Sequence, residues 1–392
     1  MKKLMILGGS RYAVPVIEAA HKLGLYVITC DYLPDNIAHK YSDEYCDVSI
    51  IDKEKTLEAA KKLQIDGIVS FACDPGVTTA AYIAEKMGLP FQGSYESTEI
   101  LQDKGLFRDF LTKHGFNVPH AKRYIDKKAP FNDIDFFTWP VIVKPVDSAG
   151  SKGVTKVDSP DKLAEAIETA VGGSHNGAYI IEDFLTFKGY HSSADPFTVD
   201  GELKFVSYSD QLFDKEADNP YTPAYIIWTT SMAKEDQDYL TKETQRLLTL
   251  LGMKTGIYNI ETCVGSDGKP YIMEVSPRGG GCKIAELQRL AYGVDLIENE
   301  VRKAIHRKME KEKSAAIKND IELHMYKVHD GIPVLLNTCY LYDEKGCMVH
   351  GSIKGTKDYL LETWRYHTNR HSKGFSSTRI RPCTTSRAFS FV

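Results

Sequence analysis

The pattern of apolar positions changes twice along the chain. Over the first ninety or so residues, short continuous runs alternate with stripes at helical spacing. Leu4 to Leu7 is a run ended by Gly8-Gly9-Ser10. Val14, Ile17, Ala20 and Leu23 then recur at helical spacing, and Gly24 closes them. Tyr26 to Cys30 and Gly67 to Ala72 are further runs, and a second helical stripe ends at Met87 before Gly88-Leu89-Pro90. Strands alternating with helices build a parallel sheet covered on both faces. The class expected is α/β, with a Rossmann-like parallel-sheet domain over residues 1–96.

The next stretch reads as one long helix from about Ser97 to His114, ended by Gly115. Beyond it strands become short and turns become Asp-Gly. Val199-Asp200-Gly201-Glu202 and Ser266-Asp267-Gly268-Lys269 are both hairpin signals. Ser159-Pro160-Asp161 offers an N-cap, an N1 proline and an acidic first turn for a helix followed by Gly172. Leu247, Leu248 and Leu251 form the stripe of another, closed by Gly252. A second domain is expected over 97–310, with 120–188 as a subdomain. From about residue 310 the pattern weakens. Residues 332–342 and 347–353 read as strands of a third, smaller lobe within 311–392. After Glu362 only basic charges remain, six among serines and threonines, and they read as a frayed terminus in preference to a basic recognition segment.

Composition narrows the picture. The 392 residues suit two or three domains, and 42% apolar with 26% charged residues is ordinary for a soluble protein. A formal charge of −4 gives no global argument for nucleic acid or an anionic membrane. No apolar run approaches the roughly 18–20 residues that span a bilayer. The start, MKKLMILGGSRY, is too short for a signal-peptide core and reads as a buried strand. Eight scattered cysteines without a C-x-x-C pair suggest reduced thiols in the cytoplasm.

The strongest chemical signal is the second Asp-Gly hairpin. If Asp267-Gly268 is a two-residue turn, Ser266 pairs with Lys269 and, counting back, Glu261 lies opposite Glu274 on one face. Opposed like charges are destabilising unless something positive sits between them. Two carboxylates beside phosphate oxygens suit Mg²⁺, whereas two glutamates on a solvated face would be screened by water. Ser276-Pro277-Arg278-Gly279-Gly280-Gly281 follows at once. Its arginine can brace a phosphoryl group or an oxyanion, and its glycines let backbone pass close to a ligand. Lys144, inside the apolar Pro140–Pro145 strand, needs a partner, and a phosphate would serve. Lys104, taken alone, reads as a solvated helix residue. Ser148 to Val154 makes a glycine-rich flap without the G-x-x-x-x-G-K-[ST] pattern. The apolar strand Ala178–Leu185 ends in Glu182-Asp183, which can read an adenine edge or be an ordinary strand exit.

In this order the pieces resemble the ATP-grasp superfamily. The likeness is to the carboxylate–amine ligases grouped with the carbamoyl-phosphate synthetase large subunit, biotin carboxylase and purine-pathway ligases. It covers about residues 1–305 and is most specific from Ile260-Glu261 through Glu274-Val275-Ser276-Pro277-Arg278. The resemblance implies an N-terminal pre-ATP-grasp domain followed by ATP-grasp central and lid lobes. It implies ATP and Mg²⁺, with Mn²⁺ an acceptable substitute. Lys104 and Lys144 would contact phosphates, and Ser148, Gly150, Ser151, Gly153 and Val154 would form the lid. Glu182, with the backbone of Asp183 and Leu185, would hold adenine, and His191 the ribose. Glu261, Glu274 and Ser276 would bind metal, and Arg278 would steady the acyl-phosphate or tetrahedral intermediate. Ser276 stands where the family commonly has asparagine and reaches less far.

The activity implied is ligation of a small-molecule carboxylate, activated as an acyl phosphate, to an amine or ammonia, by a chain that acts alone or as a homodimer. Two alternatives compete. A Rossmann dehydrogenase is suggested by the N-terminal sheet and Asp31 at the end of its second strand, but Gly8-Gly9-Ser10-Arg11-Tyr12-Ala13 lacks G-x-G-x-x-G. A non-catalytic nucleotide sensor is opposed by the retained carboxylates, arginine and lysines.

Overall fold

The computed structural model describes residues 1–148, 150–213, 223–227, 230–292, 294–305, 335–342 and 348–355. It begins with a parallel sheet of β1 (Lys3–Leu7), β2 (Tyr26–Asp31), β3 (Glu44–Asp47) and β4 (Gly67–Ser70), ordered β3-β2-β1-β4. Leu4 and Ile6 pack with Val16, Ile17 and Ala20 of α1 (Val14–Lys22). Met5 and Leu7, on the other face, pack with Leu57 of α2 (Lys53–Leu63) and with Ala80 and Ile83 of α3 (Asp74–Met87). Burial on both faces is why β1 is a continuous apolar run. Asp31 accepts from Gly9 N at 2.8 Å, Asn36 Nδ2 at 2.9 Å and Leu33 N at 3.3 Å. Its carboxylate holds its own loop, which removes one of the two features that suggest a dehydrogenase.

The single helix expected after residue 97 is two. α4 (Tyr95–Gln102) stops at Asp103, whose φ of −91° and ψ of 112° are extended, and α5 (Lys104–Lys113) begins there. The Asp103 carboxylate accepts from Gly105 N and Leu106 N at 2.8 and 3.0 Å, the N-cap arrangement that competes with helix continuation. Lys104 is thereby the first residue of a helix, where a cation opposes the helix dipole.

A second sheet joins β5 (Ala121–Tyr124), β6 (Val141–Pro145), β7 (Thr155–Val157) and β8 (Tyr179–Asp183), antiparallel in the order β5-β8-β6-β7. α6 (Leu163–Gly172) lays Leu163, Ala166, Ile167 and Ala170 on Val141, Val143 and Ile181. Its expected Ser159 cap is not made: the first turn is a 3₁₀ helix, and the Ser159 hydroxyl donates to Asp161.

Then come β9 (Ser192–Ala194), β10 (Phe197–Val199), β11 (Glu202–Phe205), β12 (Asp210–Phe213), β13 (Pro223–Ile227), α7 (Lys234–Leu250), β14 (Gly256–Ile257), β15 (Asn259–Val264) and β16 (Pro270–Ser276). Asp200 and Gly201 have φ of 51° and 83°, so the β10–β11 turn is the two-residue kind that Asp-Gly announces. Leu240, Leu247, Leu248 and Leu251 pack under Tyr258, Ile260, Ile272 and Val275, so α7 backs the β15–β16 hairpin.

α8 (Ile284–Tyr292) and α9 (Leu296–Ala304) follow, and α9 returns to the parallel sheet, burying Leu296, Val301 and Ala304 with Leu4 and Ile6. β17 (Leu335–Tyr342) and β18 (Met348–Gly355) pair as an antiparallel hairpin. The rest of the expected third lobe, with its basic tail, lies outside the described residues. Among those described, no helix is long and apolar enough to cross a membrane. Cys30, Cys46, Cys73, Cys263 and Cys282 are free thiols.

Candidate active site

Glu261 does pair with Glu274, by a route the sequence does not suggest. The turn of this hairpin is wider than two residues: Val264 pairs with Pro270, and Gly265 N donates to Lys269 O at 2.8 Å. From that start Cys263 meets Tyr271 and Thr262 meets Ile272. Continued unchanged, the register would set Met273 opposite Glu261 and turn Glu274 to the other face. A β-bulge between Glu261 and Thr262 absorbs Met273, and Glu274 returns to face Glu261. The expected Ser266–Lys269 pair is thus wrong, and the bulge restores the pair that matters.

Burial, then the charge of Glu274, raises the Glu261 carboxyl well above the ordinary glutamate range. The cation nearest the pair is Lys104, whose Nζ lies 3.5 Å from Glu274 Oε1 and donates to Ser148 O at 3.0 Å. Only 17% of its side chain is exposed, so the solvated reading of Lys104 fails. The donor set fits Mg²⁺: two hard oxygen donors on an open cleft face, with coordination left for phosphate and water. Among the described residues no group of three or more His, Cys, Asp or Glu could hold a metal by itself. Ser276 is not placed to help. Its hydroxyl donates to Asp74 Oδ1 at 2.9 Å and accepts from Gln102 Nε2 at 2.7 Å, and the residue is 1% exposed.

Asp74, at the start of α3, is a site residue the sequence did not reveal. Arg278 Nε and Nη2 donate to its two oxygens at 2.8 and 2.7 Å. Burial works against the Asp74 anion, yet Arg278 beside it holds the carboxyl below its usual value. The first residue of α3 therefore fixes the arginine that follows the hairpin. The glycines after Arg278 answer to packing: a Cβ on Gly279 would meet the Phe71 ring, and one on Gly280 would meet Asn259 and Asp195 at 2.8 Å. Asp195 is fully buried, accepts from Gly280 N at 2.7 Å and Asn259 Nδ2 at 2.9 Å, and is pushed by burial up to about 7.

Lys144 has a protein partner where a phosphate was expected. Its Nζ donates to Glu182 Oε1, and Arg108 Nε donates to Glu182 Oε2 at 2.9 Å. Burial alone would raise the Glu182 carboxyl, but Arg108 and Lys144 hold it at about 2. Burial likewise lowers the Lys144 ammonium. Glu182 is 2% exposed with both oxygens engaged, so its carboxylate does not present a free acceptor to an adenine amino group. The Asp183 N–H donates to His120 O at 2.9 Å and is equally taken. Arg108 also went unread. It stands one turn after Lys104, and like charges at that spacing repel on a solvated face, a hint that both reach inward.

The cleft measures about 780 Å³, and its lining includes Lys104, Lys144, Glu182, Glu261, Glu274 and Arg278. Ser148, Gly150, Ser151 and Val154 form one edge, with Gly150, Ser151 and Gly153 at φ of 65°, 55° and 73°. Gly153 packs on Pro145, 2.9 Å from a would-be Cβ, which ties this flap to β6. At the far end Leu185, Phe187, His191 and Phe213 make an apolar wall. His191 sits edge-on between Phe187 and Phe213, centroids 4.2 and 5.5 Å away, and burial lowers its imidazole to about 4. A neutral imidazole donates from one ring nitrogen and accepts at the other.

Comparison with known proteins bears on the fold. The ATP-grasp domain description matches residues 101–282. Formate-dependent phosphoribosylglycinamide formyltransferase of Bacteroides thetaiotaomicron is 26% identical over 286 residues, 71% of this chain and 71% of that protein. Its counterpart in Synechococcus sp. (strain WH7803) is 28% identical over 193 residues, 47% of this chain and 48% of that one. The chain thus spans about half the length of some curated relatives it matches. L-amino acid ligase from Bacillus licheniformis superposes at a TM-score of 0.71 with 16% identity, covering 100% of this chain and 98% of the other. N5-carboxyaminoimidazole synthetase from Staphylococcus aureus with ADP superposes at 0.68 with 14% identity, covering 93% and 96%. The biotin carboxylase domain of Hydrogenobacter thermophilus 2-oxoglutarate carboxylase, with MgADP, gives 0.66 at 14% identity over 96% and 91%.

Proposed function

We propose that the chain, whose residues 101–282 match the ATP-grasp domain description, is a carboxylate–amine ligase using ATP and Mg²⁺. The observation that carries the reading is the pair of glutamates brought opposite each other by a bulge, with Lys104 beside them and Arg278 in the same cleft. The lobes would be residues 1–96, an ATP-grasp domain over 97–310 with its lid over 120–188, and a C-terminal lobe over 311–392.

In this reading adenine lies against the Leu185, Phe187 and Phe213 wall, with His191 near the ribose. Lys144, held by Glu182, and Lys104, released from Glu274, neutralise phosphate oxygens, and the Ser148–Val154 segment folds over them. Glu261 and Glu274 would hold Mg²⁺, which supplies charge neutralisation at the transferring phosphoryl group. A substrate carboxylate oxygen attacks the γ-phosphorus, the bond to the β-phosphate oxygen breaks, and ADP leaves. An amine nitrogen then attacks the acyl carbon, loses a proton and expels phosphate. Arg278, fixed by Asp74, faces the oxyanion that forms in that second step. The protein contributes positioning and charge, as in other phosphoryl transfers.

The names of the relatives put formate and phosphoribosylglycinamide first among acid and amine pairs to try. The test is ADP and phosphate release across paired acids and amines. Release that needs both an acid and an amine supports the ligase. Mg-ADP binding without turnover on any pair would favour a nucleotide sensor on the same fold.

A further inference from the structure

We propose that Arg108 is a positioning residue that couples the nucleotide lysine to the opposed carboxylates, a role that rests on the ATP site described above. Arg108 lies on α5, 3% exposed, and reaches two strands from different sheets. Its Nε donates to Glu182 Oε2 on β8 at 2.9 Å, and its Nη1 donates to the Met273 carbonyl on β16 at 2.8 Å.

Each contact controls a different half of the site. Met273 is the residue the bulge adds, and a bulge leaves its extra residue outside the ladder. Arg108 gives that carbonyl a charged donor and so favours the bulged strand over a straight one. In the straight strand Met273 would face Glu261, and Glu274 would leave the cleft face. Through Nε, Arg108 fixes the Glu182 carboxylate, and Glu182 in turn fixes Lys144 Nζ in the cleft. One planar fork therefore sets the separation between the lysine and the carboxylate pair. A lysine at this position has its donors on one compact nitrogen and lacks the rigid fork whose separate nitrogens make these two contacts.

The test uses the full chain with R108K and R108Q, probed with ADP. Two readouts separate coupling from bulk stability: calorimetric ADP affinity without metal, and the Mg²⁺ concentration that half-saturates the thermal stabilisation given by ADP. R108K should raise half-saturating Mg²⁺ by roughly 10–100-fold, the usual loss when a group supporting metal ligands is removed, and should weaken metal-free ADP binding too. R108Q keeps an amide donor for the Met273 carbonyl but no charge for Glu182, so ADP affinity should fall more than the Mg²⁺ requirement rises. Folding is read independently by far-ultraviolet circular dichroism, and either folded variant suffices. A folded variant that melts lower but keeps both ligand readouts at wild-type values overturns the proposal and leaves Arg108 a stability residue. Wild-type protein that shows no Mg²⁺-dependent ADP binding would overturn the ATP-site reading itself, a result separate from unchanged variants.

Discussion

Two clusters of charge share the cleft and are built in opposite senses. Around Glu182 one carboxylate meets two cations, Arg108 buried and Lys144 half-buried, and the acid is held at about 2. Around Glu261 and Glu274 two carboxylates meet one lysine at 3.5 Å, and the Glu261 carboxyl is raised by burial and by its neighbour. The first cluster is complete within the protein. The second is short of positive charge until something enters the cleft. The contrast is between a cluster balanced within the protein and one left with excess negative charge.

The sharpest way to break this contrast is to neutralise one carboxylate in each cluster. Glu182→Gln strips buried Arg108 and its neighbour Lys144 of their partner and should cost about 3–5 kcal/mol in urea or thermal unfolding, as for breaking a buried ion pair. Glu182 should also govern part of the acid transition. Its carboxyl is depressed, so its contribution is complete above the ordinary glutamate pKa of about 4.3 and fades as pH falls towards 2. Melting curves of the glutamine variant from pH 5 downward should lack that share of the acid dependence. An unchanged acid limb would show that the triad is not coupled to folding.

Arg278→Ala should come next in size, with turnover lower by on the order of a hundredfold and nucleotide affinity near wild type. Collapse of ADP affinity would make Arg278 a ground-state phosphate ligand and take away its assigned part in chemistry. For the lysines, removing Lys144 should weaken nucleotide binding by about 1.5–3 kcal/mol, the worth of a hydrogen bond to a charged group. Lys104→Ala should lose less, because its departure also relieves Glu274 of a competing partner; the reverse order in calorimetry would invert the roles. Glu274→Gln closes the series. Metal-free stability should hold level or rise by a few tenths to 1 kcal/mol as cross-strand repulsion goes. The stabilisation from Mg-ADP should shrink. A clear fall in metal-free melting temperature, with Mg-ADP stabilising as before, would mean that this hairpin holds no metal.

The parallel sheet was legible in sequence because its strands are buried on both faces and carry unbroken apolar runs. The Glu261–Glu274 pair was legible for a less direct reason. Counting from a two-residue turn misplaces Ser266 and Lys269, and the bulge at Met273 cancels the error. Neither the wide turn nor the bulge leaves a mark in local composition. Asp74 and Arg108 stayed hidden because their partners lie far along the chain: Arg278 for one, Glu182 and Met273 for the other. Asp74 looks like an ordinary acidic first-turn residue, and Arg108 like the polar side of an amphipathic helix. The break at Asp103 was readable in principle, since an aspartate that can cap the next turn competes with helix continuation.

The return of α9 to the parallel sheet has a consequence for modular architecture. Lys2 Nζ donates to Ile305 O at 3.1 Å, and the Ala304 carbonyl rests where a side chain on Gly67 would stand. Residues 2 and 305 are therefore neighbours, although every residue lining the cleft lies between them in sequence. A module fused ahead of the first strand and one attached after residue 305 would be tethered at nearly one point. They would meet at the high effective concentration that short tethers give, whatever their own affinity.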